Sequence, residues 1–166
     1  ESAKRVGERR SRNFRCFLEG IGQPRTLLDV GCGYGFFLKL AQEAGWEAIG
    51  VDSDLRAVGY AKNTLRVNAL EGDLRTFHFP DASFDIVTFW NALDELVSPR
   101  KALEKSARLL RPGGLVVARF PNAAFHIPAR RLFDGGRLRF PETALFREPI
   151  VHLFAFGRTT IMNLMR

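Results

Sequence analysis

Short apolar runs alternate with helix-spaced apolar residues through most of this chain. The apolar runs have a length that suits buried strands of a parallel sheet, and they lie at 27–30, 48–51, 67–70, 86–89 and 115–120. The intervening segments show helical spacing, and they are 36–44, a stretch from 55 onwards, and 98–110. This alternation predicts an α/β fold.

Each predicted helix has one apolar face. In the helix after residue 55 the inward residues are predicted to be Ala57, Val58, Ala61 and Leu65, and in the helix over 98–110 they are Ala102, Leu103, Ala107 and Leu110. Residues 2–20 form a basic amphipathic pattern whose inward side chains are Val6, Phe14, Phe17, Leu18 and Ile21. Past residue 120 the chain is irregular, aromatic and basic to about 149, and then comes an extended stretch, Val151–Phe156, and a helix, Thr159–Arg166.

Polar residues and glycine mark the predicted helix ends. Gly45 is placed to end the helix over 36–44. The short acids in Asp52–Asp54 can cap the helix that begins near Leu55. Ser98 followed by Pro99 predicts a capped start for the next helix.

The first strand runs into a glycine turn within Leu27–Leu38, LLDVGCGYGFFL. Glycine occupies positions 31, 33 and 35, and glycine suits a turn that approaches a ligand because it has no Cβ and tolerates positive φ. Strand, glycine turn and helix together form a ligand-binding geometry at the carboxyl end of a sheet. Asp29 is expected to brace this turn by accepting backbone N–H bonds.

An acid follows the next strand at a distance that suits a nucleoside ligand. Asp52 lies 21 positions after Gly31, close to the spacing at which a carboxylate meets a ribose. A dinucleotide turn needs a glycine at position 36, where this chain has Phe36, and no phosphate-binding P-loop motif occurs. The spacing therefore indicates a nucleoside cofactor and disfavours NAD and FAD.

Four motifs in order then resemble one enzyme family. DVGCGYG and GVDSD, followed by EGDLRTFHFPDASFDIVTF and LEKSARLLRPGGLVVARFPN, resemble class I S-adenosylmethionine-dependent methyltransferases over about Arg25 to Asn122. The resemblance implies a Rossmann-like, doubly wound, mostly parallel sheet with helices on both faces. It also implies S-adenosyl-L-methionine (SAM) as the cofactor, S-adenosyl-L-homocysteine as its product, and methyl transfer as the activity.

The same resemblance implies which residues bind the cofactor. They are Asp29, Gly31, Cys32, Gly33, Gly35, Asp52, Ser53, Asp73, Leu74, Trp90 and Asn91. In resembling enzymes an acid at the position of Asp73 accepts from the adenine amino group, and the next backbone N–H donates to the ring. Asn91 is expected at the amino-acid end of the cofactor. A simple turn is the alternative for Gly72-Asp73, and the family interval on both sides of it favours the cofactor contact.

The residues that would carry catalysis are not identified by the sequence. Many resembling enzymes have Glu-His where this chain has Asp94-Glu95, so the histidine that could assist deprotonation in them is absent at this position. Asp94, Glu95 and His126 are the candidates for a general base, and methyl transfer from a sulfonium can also proceed by orientation alone. His78 is interpreted as a loop or packing residue, and no metal site is expected.

Composition and charge limit the partners. The 166 residues suit one domain and contain no apolar run long enough for a membrane helix. The net charge of +7 is carried by the two ends of the chain: it is +4 over 1–25, −2 over 26–118 and +5 over 119–166. Basic flanks fit an anionic or nucleic-acid partner, or solvated arginines. No nucleic-acid motif accompanies them, and no N/D-P-P-Y/F tetrapeptide follows the fourth strand. Two cysteines, Cys16 and Cys32, give no disulfide framework, which favours a cytoplasmic protein.

We expect one methyltransferase domain with three parts. These are a basic N-terminal helix at 1–24, a cofactor-binding core at 25–122 and a variable substrate-side segment with a last helix at 123–166. The family's sixth and seventh strands have no sequence here, so the fifth strand is predicted to be an apolar edge. The chain is then either a shortened piece, or this edge pairs with a second copy or with Val151–Phe156. The acceptor is expected to be a small molecule, and the alternatives are a non-catalytic SAM-binding module or an RNA or protein methyltransferase.

Overall fold

The computed structural model describes residues 14–22, 25–120 and 162–164. Residues 14–22 and 25–120 contain four helices: α1 over residues 14–21, α2 over Phe36–Glu43, α3 over Leu55–Asn63 and α4 over Pro99–Leu109. Five strands accompany them: β1 over Thr26–Val30, β2 over Glu47–Asp52, β3 over Asn68–Glu71, β4 over Phe84–Trp90 and β5 over Leu110–Arg119. Residues 162–164 are helical.

The five strands form one parallel sheet in the order β3-β2-β1-β4-β5. The chain moves outward from β1 to β2 and β3, then returns to the other side of β1 with β4. Such a reversal opens a crevice at the carboxyl ends of the two central strands, where ligands of α/β sheets bind. The Rossmann-like prediction is confirmed.

Helices cover both faces of the sheet. On one face, Leu18 of α1, Phe37 of α2 and Val58 of α3 pack in a cluster with Leu27 and Ile86. On the other face, α4 packs against the neighbouring strand residues, and this second cluster includes Leu28, Val87, Phe89, Leu103 and Leu109. Consecutive residues of β1 and β4 thus face opposite layers, as expected for strands buried on both sides.

A polar network joins the start of β1 to the start of β4. The carboxylate of Asp85 accepts from Thr26 N at 3.1 Å and from Thr26 Oγ1 at 2.8 Å, and Arg111 Nη1 donates to the same oxygen at 2.8 Å. Burial opposes the charged form of Asp85, but the Thr26 hydrogen bonds and the Arg111 charge outweigh it and lower the Asp85 pKa. Asp85 therefore ties neighbouring strands together at the amino edge of the sheet.

Several element bounds and one buried face differ from the sequence predictions. The bounds of β3 and β4 move by one or two residues. The fifth strand was predicted to begin at residue 115, but β5 begins at Leu110, because the Arg111–Gly114 segment is accommodated in the strand by a register shift opposite Phe84 and Ile86. In α4 the prediction of an inward Ala107 is wrong, since Ser106 and Leu109 are buried and Ala107 is exposed. Ser106 tolerates burial because its hydroxyl donates to the Ala102 carbonyl at 2.8 Å.

The helix ends follow the predictions with one exception. Asp54 caps α3, with its carboxylate accepting from Arg56 N at 2.9 Å and Ala57 N at 3.4 Å. Gly45 follows α2 with a φ of +85°, the left-handed conformation that ends many helices. Ser98 precedes Pro99 at the start of α4, but its side chain makes no capping hydrogen bond.

Several sequence predictions lie outside the described residues. These are the N-terminal part of the first helix with Val6, the segment that contains His126, and the extended stretch Val151–Phe156. The pairing of the β5 edge therefore stays a prediction. Among the described residues, no helix is both long and apolar enough to cross a membrane.

Candidate functional site

The glycine turn after β1 is fastened to the end of β2. The carbonyl of Val51 accepts from Gly31 N at 2.8 Å and from Cys32 N at 3.2 Å, and Asp52 Oδ2 accepts from Gly33 N at 2.7 Å. Three consecutive amides of the turn are thus fixed by two consecutive residues of the neighbouring strand. The turn has a set conformation at the crevice between β1 and β4.

Asp29 supports the turn differently from the sequence prediction. We expected Asp29 to accept hydrogen bonds from the turn amides, and that prediction is wrong. Those amides donate to the Val51 carbonyl and the Asp52 carboxylate instead. Asp29 is 1% exposed, and its Oδ1 accepts from the Thr88 hydroxyl at 2.7 Å. Burial raises its pKa to about 7, against the hydrogen bond from Thr88, and the nearby charge of Asp52 adds to the rise. Asp29 therefore links β1 to β4 beneath the turn.

Two glycines of the turn have different structural roles. A Cβ on Gly31, whose φ is +75°, would lie 2.3 Å from the Cβ of Ala92, so the segment after β4 packs directly against this glycine. A Cβ on Gly33, whose φ is +52°, would have no atom within 4 Å. The backbone at Gly33 therefore borders open space, which is the condition for close approach by a ligand.

Asp52 places a carboxylate beside this open space. Its Oδ2 accepts from Gly33 N, and its Oδ1 accepts from Asp54 N at 2.9 Å. An ionised carboxylate has about four acceptor positions, so each oxygen retains capacity for a further donor such as a ribose hydroxyl. Ser53, the next predicted cofactor residue, is exposed at the same strand end.

Cys32 and Gly35 are buried parts of the turn. The side chain of Cys32 packs against β2 at Gly50, which has no side chain to obstruct it. A Cβ on Gly50 would lie 2.6 Å from Cys32 Sγ. Burial, followed by the negative charges of Asp29 and Asp52, raises the pKa of Cys32 well above its ordinary value, so this thiol is not a nucleophile. Gly35 packs against α3, because a Cβ there would lie 2.8 Å from the Cβ of Ala61.

Asp73 and Leu74 follow β3, next to the end of β2. The carboxylate of Asp73 accepts from Arg75 N at 2.8 Å and pairs with Arg75 Nη2 at 2.6 Å. The hydrogen bond from the Arg75 side chain lowers the pKa of Asp73. Leu74 is 3% exposed and packs in the core layer that contains α4. The adenine contact predicted for Asp73 stays a prediction, and it would share the carboxylate with Arg75.

Trp90 and Asn91 lie at the carboxyl end of β4. The Trp90 ring contacts Phe14 of α1 and Phe37 of α2, with ring centroids 4.9 and 5.2 Å away. Asn91 adopts a left-handed conformation with a φ of +57°, and its N–H donates to the Arg119 carbonyl at 2.7 Å. A left-handed Asn at a strand end beside a ligand crevice is typical of functional loops.

The general-base candidates differ in placement. Asp94 is buried at 1% exposure, two residues after the Ala92 that contacts the glycine turn, whereas Glu95 is exposed. His126 lies outside the described residues, and His78 is an exposed loop residue. The residues that the structure describes contain no group of three or more His, Cys, Asp or Glu side chains that could hold a metal ion.

Sequence reasoning missed two residues of this site. Thr88 supports Asp29, and Ala92 packs on Gly31. Thr88 could have been noticed as the polar residue in the centre of an apolar strand, whereas nothing in the local sequence distinguishes Ala92.

The comparisons with known proteins agree with this geometry. A family model described as a methyltransferase domain matches residues 3–166. The chain belongs to this methyltransferase family. Its fold is that of a SAM-dependent methyltransferase from Archaeoglobus fulgidus, with a TM-score of 0.71 at 21% identity over 95% of this chain and 66% of that one.

Curated relatives of this methyltransferase domain carry related names. A probable SAM-dependent methyltransferase from Mycolicibacterium smegmatis is 31% identical over 107 residues, which is 64% of this chain and 42% of that protein. A demethylmenaquinone methyltransferase from Renibacterium salmoninarum is 32% identical over 67% of this chain and 48% of its own length. A ubiquinone biosynthesis O-methyltransferase from an Azoarcus species is 30% identical over 55% and 42%. The chain thus spans less than half the length of these relatives.

The residues present fit SAM, the cofactor of this class of methyltransferase. The open space beside Gly33 admits a ligand against the backbone, and a Cβ at that position would narrow it. The Asp52 carboxylate next to it retains acceptor positions for two ribose hydroxyls.

Proposed function

We propose that this domain transfers the methyl group of SAM to a small-molecule acceptor. One observation carries the proposal, namely the hydrogen bond from Gly33 N to Asp52 Oδ2 beside the open space at Gly33. It sets a glycine backbone and a ribose-type acceptor next to each other before any ligand arrives. Such preorganisation lowers the cost of ordering the site on binding.

The chain's own residues would bind and orient the cofactor. Asp52 would accept from the ribose hydroxyls, and Gly33 would let the cofactor lie against the backbone. Trp90 and Asn91 would border the amino-acid end at the carboxyl end of β4, and Asp73 with Leu74 would border the adenine. SAM itself supplies a methyl group already activated by a sulfonium, so the protein's contribution is alignment and exclusion of water.

A quinone-type ring is the acceptor class that the relatives favour. Two of them are named for demethylmenaquinone and for ubiquinone biosynthesis. Reduced rings of this type are phenols, whose methylation is helped by a base that accepts the hydroxyl proton. Of the candidate bases, we propose Asp94 over Glu95, because Asp94 lies in the interior beside the segment that packs on the glycine turn, whereas Glu95 is exposed.

Calorimetric titration with SAM and with S-adenosyl-homocysteine tests the cofactor half of the proposal. The intact chain is expected to bind both, and an Asp52→Ala variant is expected to bind more weakly. Asp81→Ala changes an exposed carboxylate in the turn before β4 and serves as the control. A folded protein that takes up neither ligand contradicts the proposal.

Transfer of radiolabelled methyl to a panel of short-chain quinols and simple phenols tests the acceptor half. We expect methyl incorporation into the quinols. We expect the rate of incorporation to be lower in an Asp94→Asn variant that still binds SAM. Binding of SAM without transfer to any acceptor would favour the alternative of a non-catalytic SAM-binding module.

A further inference from the structure

Three aromatic side chains form a cluster on the surface of the helical layer. Tyr34 is 52% exposed, Phe36 is 58% exposed and Tyr60 is 38% exposed. The Tyr34 and Tyr60 rings meet edge to face with centroids 5.5 Å apart, and Phe36 lies 6.1 Å from Tyr60 and 6.5 Å from Tyr34. We call these three residues the aromatic patch.

The aromatic patch is not part of either core layer. Neither cluster of buried residues contains any of its three members, although Phe37, the neighbour of Phe36, is 4% exposed. Single exposed apolar residues are common on protein surfaces and need no explanation. Three exposed rings in mutual contact, contributed by the glycine turn, α2 and α3, are a contiguous surface and indicate a partner.

Basic side chains accompany the aromatic patch. Arg56 lies one helical turn before Tyr60 in α3, so the two share a face of that helix. The Arg56 side chain is 91% exposed, with its Nε 3.9 Å from the Asp54 carboxylate in a loose surface ion pair. Lys62 of α3 and Arg66 of the turn after it are also exposed. The same stretch contains one acidic residue, Asp54, which caps the start of α3. Over 54–66 the chain therefore carries a net positive charge beside exposed rings.

The size of the aromatic patch argues against a second copy of this chain as its occupant. Three partly exposed rings offer on the order of 300–400 Å², whereas a stable protein interface buries about 800 Å² on each partner. An anionic bilayer surface needs less, because tyrosine and phenylalanine rings settle individually at the headgroup level and each nearby cation adds attraction to anionic lipid.

We propose that the aromatic patch and Arg56 bind the surface of an anionic lipid bilayer. The rings would enter the headgroup region, the tyrosine hydroxyls would stay at its polar boundary and Arg56 would pair with lipid phosphate. The inference rests on the proposed function for its purpose, since acceptors of the quinone class with prenyl chains dissolve in bilayers. Contact with the bilayer would bring the domain to its acceptor.

Co-sedimentation with vesicles tests the binding directly. The intact chain is expected to bind vesicles of phosphatidylcholine with phosphatidylglycerol more tightly than vesicles of phosphatidylcholine alone, and less tightly as salt is raised. A Phe36→Ser/Tyr60→Ser variant is expected to lose about tenfold or more in partitioning. Arg56→Glu should lose mainly the preference for the anionic lipid.

A matched control replaces exposed apolar residues elsewhere. Val97→Ser/Leu115→Ser changes side chains that are 72% and 52% exposed, and it is expected to leave partitioning within about twofold. Circular dichroism and SAM affinity, measured without lipid, show that each variant is folded. The inference is overturned if the Phe36→Ser/Tyr60→Ser variant binds vesicles as tightly as the intact chain, or if the intact chain shows no preference for anionic vesicles. It is also overturned if the aromatic patch binds an RNA oligonucleotide and the chain does not bind vesicles.

The failure of this inference and the failure of the proposed function give different results. Loss of vesicle binding with SAM affinity and transfer to a water-soluble quinol intact would overturn only the bilayer contact. Vesicle binding through the aromatic patch by a chain that does not bind SAM would contradict the proposed function and leave the contact standing.

Discussion

The backbone N–H of Gly33 donates to Oδ2 of Asp52 over 2.7 Å, which joins the turn after the first strand to the acid at the end of the second. The bond fixes a loop amide and orients a carboxylate at once. The acid therefore fixes the conformation of the turn, and its carboxylate keeps acceptor positions that, in the proposed function, would take the ribose hydroxyls.

Replacement of Asp52 tests this double role. Asp52→Ala removes the ribose acceptor and the partner of Gly33 N, and we expect SAM affinity to fall by about 10- to 100-fold. Asp52→Asn keeps one acceptor oxygen and should lie between the two proteins. Calorimetry gives the dissociation constants, and an unchanged value for Asp52→Ala would remove this residue from the site.

The contact between Gly31 and Ala92 gives a stability prediction. Gly31→Ala places a Cβ 2.3 Å from that of Ala92 at a φ of +75°, and we expect a loss of about 2–4 kcal/mol in the free energy of unfolding. Adding Ala92→Gly removes the overlap, so the double variant should be less destabilised than the sum of its parts by about 1 kcal/mol or more. Urea unfolding measures all four proteins, and simple additivity would contradict the contact.

Gly59 offers a control of opposite sign. It lies within α3, where a Cβ would have no atom within 4 Å, and its φ is not positive. Gly59→Ala should therefore raise the free energy of unfolding by about 0.5–1 kcal/mol. A destabilised Gly59→Ala protein would show that glycine replacement in this layer is harmful for reasons other than the predicted overlap.

The pH dependence of stability reports on buried Asp29. Its pKa of about 7 in the folded protein lies above the ordinary 3.8, so the folded state holds a proton that the unfolded chain releases between these values. The Asp29 contribution to the free energy of unfolding thus falls as pH rises from about 4 to about 7, by up to roughly 4 kcal/mol, and is constant above. Asp29→Asn keeps an acceptor for Thr88 and should remove this dependence.

Asp85 provides the reverse case for the same experiment. Its pKa is lowered in the folded protein, so its contribution is present at neutral pH and is lost as pH falls through the folded pKa. Urea unfolding should therefore give a difference curve for Asp29→Asn that changes between about pH 4 and pH 7, and a curve of opposite slope for Asp85→Asn that changes only below about pH 4. Parallel curves for the two variants would show that Asp29 is not protonated in its buried position.

The two tryptophans of the chain lie at opposite ends of the strands, Trp46 at the amino ends and Trp90 at the carboxyl ends. Trp46 is buried just before β2 begins, and Trp90 ends β4 at the carboxyl edge. We expect SAM to change the tryptophan fluorescence of a Trp46→Phe protein, which keeps Trp90. The tryptophan fluorescence of a Trp90→Phe protein, which keeps Trp46, should be unchanged by SAM. The opposite pattern would place the cofactor at the wrong edge of the sheet.

The strands and the glycine turn could be predicted because their signals are local. Each strand is an apolar run, and Gly31, Gly33 and Asp52 sit at spacings that depend only on neighbouring elements. The class of fold and its cofactor follow from these features together with the family resemblance.

The contacts that hold the site could not be predicted in the same way. Thr88 and Asp29 are 59 positions apart, and their pairing depends on how β4 aligns with β1. The inward position of Ser106 was missed because a polar residue breaks the apolar pattern, although its hydroxyl is satisfied within its own helix. Long-range register and internally satisfied polar groups leave no local pattern.

The carbonyl oxygen of Val51 accepts hydrogen bonds from both Gly31 N and Cys32 N. The glycine turn is consequently fastened to β2 and is expected to move with it. Detachment of that strand from the sheet and release of a bound nucleoside should occur as one event. A mutation that weakens β2 far from the crevice would shorten ligand residence time with every contacting residue still in place.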